Sequence, residues 1–124
     1  MADYVANFLP GQAVTFIAGG TIVGGNVVVV SATGRVVTVA GAAARNTVGL
    51  ACHDAVSGQP VTVTRGGEQR PIASGAITAG ALVKSAAAGQ VAAFVPGTDA
   101  IDLILGTALT TVADQAPVDV AWRA

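Results

Sequence analysis

Three adjacent residues carry side chains that enzymes and metal sites often use: Cys52, His53 and Asp54. They could supply a Cys/His nucleophile pair or some of the ligands of a metal ion. In a strand, however, neighbouring side chains point to opposite faces, so Cys52 and His53 do not easily meet. A zinc site also needs about four ligands, and the chain has one Cys and one His. We predict no catalytic site and no metal here, with Cys52 as a small core residue and His53 as a surface or turn residue.

A glycine pattern that could bind phosphate occurs at residues 75–80, which begin and end with glycines at the spacing of a P-loop. Ala81 and Leu82 follow where a P-loop has lysine and then serine or threonine. The same glycine pattern occurs at residues 20–25 with no lysine nearby. The pattern therefore predicts a structural turn in both places and no nucleotide cofactor.

The single lysine, Lys84, could serve as the attachment point of a biotinyl or lipoyl carrier domain. It is flanked by Val83 and Ser85 and lacks the Met-Lys-Met or Asp-Lys-Ala context of such domains. Carrier domains also present their lysine at a hairpin tip. A small carrier or binding β domain that uses Lys84 is therefore an alternative function and not the leading one.

The acidic residues fall in predicted turns or on exposed strand faces. A carboxylate pair for hydrolysis needs a cleft and a raised pKa on one partner, and no sequence pattern indicates either. Asp99 and Asp102 lie in the loop of residues 96–102, which has no close counterpart elsewhere in the chain. We predict a solvated loop whose two acids are candidate assembly contacts.

The elements that must position these residues are built by an internal duplication. The matched pairs are Gly20 and Gly75, Gly34 and Gly89, Gly49 and Gly106, and Pro60 and Pro117. The first two matched pairs are 55 residues apart and the last two are 57 residues apart, so the second half has two extra residues between Val91 and Gly106. Turn glycines, a proline and apolar residues recur, whereas the His, the Cys and the Lys occur once. The duplication therefore predicts a repeated scaffold without repeated chemistry.

The periodicity of this scaffold is that of β-strands. Residues 61–65 and 118–123 alternate apolar with polar or small side chains, and residues 27–30 predict a strand buried on both faces. Turn signals recur about every 8 to 12 residues, which is typical of an all-β barrel or sandwich. Gly66 and Gly67 predict a tight hairpin, because two glycines supply the positive φ angles of primed turns.

We predict one β domain over residues 1–124, because neither half could bury both faces of its own sheet. It comprises an N-terminal arm (residues 1–11), a first half (residues 12–68) and a second half (residues 69–124), with the halves packed about a pseudo-twofold axis. The arm is unusually apolar for a terminus and contains Tyr4, Phe8, Leu9 and Pro10. It either docks on a neighbouring subunit or a larger surface, or folds back over its own barrel.

Composition points to assembly. Charged residues make up 10% of the chain and apolar residues 52%, with a formal net charge of −1, against about 25% charged residues in typical domains. There is no basic stripe for nucleic acid and no apolar run near the roughly 20 residues that span a bilayer. We expect no nucleic acid partner and no membrane partner, and a subunit that hides much of its surface against other proteins.

The order of these motifs along nearly the whole chain resembles the small capsid cement proteins of tailed phages, also called head decoration proteins. Ile-x-x-Gly and Val-Gly-x-Ala elements carry the resemblance, at residues 4–11, 19–25, 48–51, 60–63, 76–80 and 106–109. It implies a β-clip or β-tulip fold, no catalysis and no cofactor. It also implies synthesis in the host cytoplasm and homotrimers bound to the major capsid protein on the capsid exterior, at threefold and quasi-threefold positions. Another virion module, from a tail or baseplate, is an alternative beside the carrier domain that uses Lys84.

Overall fold

The computed structural model describes residues 13–123, and this part of the protein is all-β. Two single-turn 3-10 helices occur at Ala87–Gly89 and Ile101–Leu103, and residues 13–123 contain no α-helix. The predicted all-β class is confirmed; the predicted N-terminal arm lies outside the described residues. The strands are β1 (Val14–Ala18), β2 (Val27–Val30), β3 (Val36–Val39), β4 (Thr47–Ala51), β5 (Pro60–Thr64), β6 (Glu68–Gln69), β7 (Leu82–Ser85), β8 (Val91–Ala93), β9 (Gly106–Ala108) and β10 (Val120–Trp122).

The first half forms a closed five-stranded barrel in the order β1-β3-β2-β4-β5. Strand β1 closes it, because it pairs antiparallel with β5 and parallel with β3. Side chains alternate across each strand, so Val14, Phe16 and Ala18 point into the barrel while Thr15 and Ile17 face outward. The predicted small barrel is therefore confirmed for this half.

The second half repeats this arrangement as an open sheet in the order β6-β10-β9-β7-β8. Each of its strands corresponds to a barrel strand, with β6 in the place of β1 and β10 in the place of β5. The edge that would close a second barrel is reduced to one isolated parallel bridge between Ala73 and Val91. The second half is thus a barrel that is opened along one seam.

Backbone hydrogen bonds confirm the duplication in space. Ile22 and Ala55 exchange two N–H···O bonds of 2.8 and 2.9 Å, and Ile77 and Val112 exchange the equivalent pair at 3.0 and 2.9 Å. The N–H of Gly25 donates to the carbonyl oxygen of Ala51. The N–H of Gly80, its counterpart in the second half, donates to the carbonyl oxygen of Ala108. The glycine turns are therefore the same structural device used twice.

Two apolar cores meet along β2. Val28 belongs to a cluster drawn entirely from the first half, which fills the barrel. Its neighbour Val27 belongs to the other cluster, together with Ala40 and Leu50 and residues of the second half such as Trp122. Because successive side chains of β2 point to opposite faces, this strand is a wall of both cores. Val27 and Val28 are fully buried, while Val29 and Val30 are half-buried, so the predicted burial on both faces holds for the first two residues.

The turn at Gly66 and Gly67 has the predicted positive φ angles, +70° and +64°, but the predicted hairpin is wrong. Strand β6 pairs with β10 and not with β5. In the closed barrel β5 already pairs with β4 and β1, so it has no free edge to offer. The turn instead carries the chain out of the barrel and into the second sheet.

Candidate functional site

The Cys-His-Asp run lies just after β4, and its polar atoms bond to backbone groups. The N–H of Thr62 donates to His53 Nε2 at 3.2 Å, which leaves Nδ1 to donate to the carbonyl oxygen of Asp54 at 2.9 Å. Asp54 Oδ1 accepts the N–H of Gly24 at 2.8 Å. His53 and Asp54 therefore tie the turn after β4 to β5 and to the Gly24 turn.

The second half makes the same two bonds with threonines, which identifies the role of His53 and Asp54 as structural. Thr110, the counterpart of His53, accepts the N–H of Asp119 at 3.2 Å. Thr111, the counterpart of Asp54, accepts the N–H of Ala79 at 3.0 Å. A hydroxyl can replace an imidazole and a carboxylate here because only a hydrogen-bond acceptor is required.

Cys52 is an exposed free thiol, so the prediction that it packs in the core is wrong. Strand β4 ends at Ala51, and the bend that follows turns Cys52 away from the barrel interior. Its neighbours do not compose a ligand set: residues 13–123 contain no group of three or more His, Cys, Asp or Glu side chains arranged to hold a metal ion.

The turn that resembles a P-loop bonds to an acid of its own chain. The N–H of Gly75 donates to Asp114 Oδ1 at 2.7 Å. That bond, with a smaller contribution from the side chain of Gln115, lowers the pKa of Asp114. A phosphate at this turn would meet a carboxylate already bonded to the backbone N–H, so the geometry favours the structural turn predicted from the sequence.

Lys84 lies within strand β7 and forms a largely buried ion pair. Its Nζ lies 2.6 Å from Asp99 Oδ2, with the two side chains 21% and 13% exposed. The same carboxylate oxygen accepts the N–H of Val95 at 2.8 Å. The hydrogen bond from Lys84, followed by that from Val95, lowers the pKa of Asp99. The lysine thus braces the loop after β8 and is not presented at a hairpin tip.

The loop of residues 96–102 is exposed, as predicted, except at Asp99, whose side chain is largely buried by its pair with Lys84. Asp102 lies at its far end and pairs with Arg45 at 2.5 Å, both side chains being mostly exposed. The loop brings Asp99 and Asp102 close in sequence but gives them different partners, one inside and one at the surface. Tyr4, Phe8, Leu9 and Pro10, the other candidate contacts, lie outside the described residues.

Between these two anchored acids the loop presents an isoleucine to solvent. Ile101 is 81% exposed, the highest value among the large apolar side chains of residues 13–123, and Val95, which precedes the loop, is 48% exposed. Sequence reasoning missed Ile101, although an isoleucine beside an aspartate within the unrepeated insertion was a usable signal. A single exposed apolar side chain is common on protein surfaces, so Ile101 by itself does not identify a contact with another protein.

A second exposed apolar feature lies on the first half, beside the bridge between Ile22 and Ala55. Val23 and Val56 are 55% and 54% exposed and flank an open groove of about 240 Å³. The groove is also lined by Thr21, Ile22, Asp54, Ala55 and Gln59. The second half has Thr78 and Ala113 in the places of the two valines. The two valines that flank the groove are therefore particular to the first half.

The described residues include no helix long and apolar enough to cross a lipid bilayer.

Comparisons with known proteins agree with this picture of a structural scaffold. No curated protein matches the chain in sequence. Among solved structures, the fold is similar to the N base of head fiber gp8.5 of bacteriophage phi29, with a TM-score of 0.70 and 15% sequence identity. The alignment covers 90% of this chain and 93% of that one. The family model described as phage cement protein matches residues 8–123. The chain therefore belongs to the phage cement protein family and is a structural protein of the phage head.

Proposed function

We propose that this protein binds the outer surface of the phage head, on the major capsid protein, as a homotrimer, and stabilises the shell against the pressure of packed DNA. The match of the cement protein family over residues 8–123 carries the proposal. The protein acts by binding and has no catalytic activity. His53, Asp54 and Lys84, the residues best suited to chemistry, are engaged in hydrogen bonds or an ion pair that hold the fold.

The mechanism is the addition of buried surface that must be lost before the shell opens. Apolar contact contributes about 25 cal/mol per Å² before the costs of association are subtracted. A chain with 10% charged residues can cover neighbouring proteins with little desolvation of charge. A trimer multiplies modest contacts by avidity, and many copies on one head multiply them again.

We assign the contacts with the shell to the N-terminal arm, through Tyr4, Phe8, Leu9 and Pro10, and to the surface around Asp102. Asp99 belongs to this surface through the loop that it braces, since its carboxylate is bonded to Lys84. Deletion of residues 2–10 is expected to weaken binding to heads while circular dichroism stays that of the folded chain. Unchanged binding would show that the arm covers its own barrel instead.

Co-sedimentation with undecorated heads tests the proposal. The purified protein is mixed with heads that lack it, the heads are pelleted, and the bound fraction is measured against protein alone. We expect saturable binding and heads that resist heat or loss of salt better than undecorated ones. Protein that stays in the supernatant would contradict the proposal.

Two further measurements separate the alternatives. Sedimentation with purified tails in place of heads identifies a tail or baseplate module. The intact mass of the chain from virions, measured for an adduct at Lys84, identifies a carrier domain. We expect no binding to tails and no adduct.

A further inference from the structure

The seam of the second half is crossed by few backbone hydrogen bonds. The N–H of Val91 donates to the carbonyl of Ile72 at 3.0 Å, and the N–H of Ser74 donates to the carbonyl of Val91 at 2.7 Å. These bonds make up the isolated bridge between Ala73 and Val91. A backbone segment held by so few bonds is one that opens locally, without unfolding of the whole chain.

Two glutamine side chains span this seam. Gln90 directly precedes Val91 on one side. On the other side, the N–H of Gln115 donates to the carbonyl of Ala73 at 2.8 Å. Gln90 Nε2 donates to Gln115 Oε1 at 2.9 Å, and Gln115 Nε2 donates to Gln90 Oε1 at 3.2 Å. The two amides therefore form a reciprocal pair of hydrogen bonds across the seam.

Asp114 joins this pair to the strand segment that forms the seam. Its Oδ1 accepts the N–H of Gly75 at 2.7 Å and a side-chain N–H of Gln115 at 3.2 Å. Gly75 directly follows Ser74, whose N–H makes the last backbone bond of the seam. We call Gln90, Gln115 and Asp114 together the clasp.

The backbone of Gln115 and the first half both set the clasp apart. Gln115 has a φ of +64°, whereas its counterpart is Gly58, with a φ of +87° and the equivalent N–H bond to Ala18. Glycine adopts such a φ without strain, so a glutamine there has a cost that its side-chain bonds offset. The first half, which closes through β1 and β3, has Arg35, Ser57 and Gly58 in place of the three clasp residues.

We propose that the clasp holds the seam of the second half closed, and that without it this half opens locally along the seam. The clasp takes the place of the strand pairing that closes the first half. An open seam presents unpaired strand edges, which are ready to pair with other chains. The proposal concerns the free chain and goes beyond the proposed function, so binding to heads neither supports nor contradicts it.

Hydrogen exchange of single amides, followed by NMR on the full chain, tests the proposal. The N–H groups of Ser74 and Val91 report on the seam. Gln115→Asn is the main variant, because asparagine tolerates a positive φ but is one methylene too short to keep both bonds to Gln90. We expect both seam amides to exchange about tenfold faster, since two hydrogen bonds are lost. Unchanged exchange of these amides would overturn the proposal.

The dependence of exchange on urea separates local opening from unfolding of the whole chain. Local opening exposes little surface, so the exchange of Ser74 and Val91 should hardly change at low urea concentrations, in the wild type and in the variant. A steep dependence in both proteins, equal to that of global unfolding, would show that the seam opens only when the chain unfolds. That result would also overturn the proposal.

Two further variants test whether the glutamines act as a pair. Gln90→Ala should accelerate the seam amides as Gln115→Asn does, and the double variant should exchange no faster than the faster single variant. Effects that multiply in the double variant would contradict the pair. Gln59→Asn is the matched control, because it shortens an exposed glutamine of the first half that accepts the N–H of Val56 at 3.1 Å. It should leave the seam amides unchanged.

Discussion

The two halves of this protein use the same order of strands, yet the first closes into a barrel and the second stays open. Strand β1 closes the barrel through parallel pairs between Ile17 and Val36 and between Ala18 and Val37. In the second half only the bridge between Ala73 and Val91 occupies that seam. The duplicated sequence therefore specifies the ladder of strands, and a small local difference decides whether the ladder closes.

That difference includes Pro71, which stands where the first half has Phe16. A proline has no N–H to donate to a ladder and its ring fixes φ, so it interrupts the strand. Strand β6 ends at Gln69, two residues before it. Pro71 is nevertheless fully buried, while β6 itself is an edge strand. The edge of the sheet is thus formed by strand β6, whereas the proline side chain packs in the interior.

The cores of the two halves also differ, because the barrel core is self-contained and the second core is shared. The barrel is filled by its own residues, with Phe16 as its largest side chain. The second core includes Val27, Ala40 and Leu50 of the first half beside its own Trp122. An open sheet leaves one side of its core without a wall, and the first half supplies that wall. The second half therefore depends on the first half for part of its core.

The largest effect is expected at the glycines that both halves share. A methyl group on Gly49 or Gly106 would collide with the carbonyl oxygen of Thr64 or Ala121 on the next strand. Gly49→Ala and Gly106→Ala should each lower the free energy of unfolding by more than about 3 kcal/mol, because a backbone atom has to move. The effect should be greater for Gly49, whose φ is +151°. Urea denaturation measures both.

Gly20→Ala is the control for these variants, because a methyl group there meets no atom within 4 Å. Its free energy of unfolding should stay close to that of the wild type. If Gly106→Ala behaved like Gly20→Ala, the close approach would belong to the barrel alone and the equivalence of the two halves would fail at this point.

The next largest effect is expected at Ser85, which joins the halves. It is 1% exposed, donates to the carbonyl of Gly41 at 2.9 Å and accepts the N–H of Ala44 at 2.7 Å. Ser85→Ala leaves both backbone groups without this partner. It should lower the free energy of unfolding, measured by urea denaturation, by about 2 kcal/mol. Ser31→Ala is the control, because it removes only an exposed hydrogen bond with the hydroxyl of Thr33 and should lower the free energy of unfolding little. Equal losses of stability in the two variants would contradict the role of Ser85 in joining the halves.

We also propose that the two halves unfold as one unit, as predicted for a single domain. The fluorescence of Trp122 reports on the second half, and circular dichroism reports on both. Because the second core borrows residues of the first, the two denaturation curves should coincide. A fluorescence transition at lower urea than the circular dichroism transition would show that the second half opens separately.

A smaller, pH-dependent effect is expected from Asp99, whose pair with Lys84 is found only in the second half. The folded pKa of Asp99 lies below its ordinary value of 3.8. A lowered pKa stabilises the fold at pH values above 3.8, and this stabilisation is lost as the pH falls through the folded pKa. Asp99→Asn should therefore be less stable than the wild type at neutral pH, and the difference should shrink in acid.

Denaturation at a series of pH values measures this difference. Asp102→Asn is the control, since it breaks an exposed pair with Arg45 that contributes little. The difference in the free energy of unfolding between Asp99→Asn and the wild type should not stay constant into strong acid. A constant difference would contradict the assignment of the stabilisation to the ionised carboxylate.

The smallest effect is expected at His53, where the two halves use different acceptors for the same bond. His53→Ala removes the acceptor of the Thr62 N–H and should cost about 1 kcal/mol. His53→Thr copies Thr110 of the second half and should recover part of that loss. Both variants should bind heads as the wild type does. A loss of head binding with stability unchanged would show that His53 contacts a partner.

Much of the fold could be predicted because its signals are local in the chain. Paired glycines, alternating side chains and a nearly constant offset between the halves are visible in the sequence, and they predict an all-β duplicated barrel. The hairpin at Gly66 and Gly67 was predicted wrongly for the same reason. The local turn geometry was correct, but the partner of β6 depends on which strand has a free edge.

The sequence by itself determined the duplication, the all-β class and the membership of the cement family, because each follows from residue order and short-range backbone preference. Only the tertiary structure decided that Cys52 is exposed, that Asp99 bonds to Lys84 while Asp102 bonds to Arg45, and that Ile101 faces solvent. These outcomes depend on contacts between residues far apart in the chain. The pairing of strands and the packing of the two halves bring such residues together, and no local pattern encodes which of them meet.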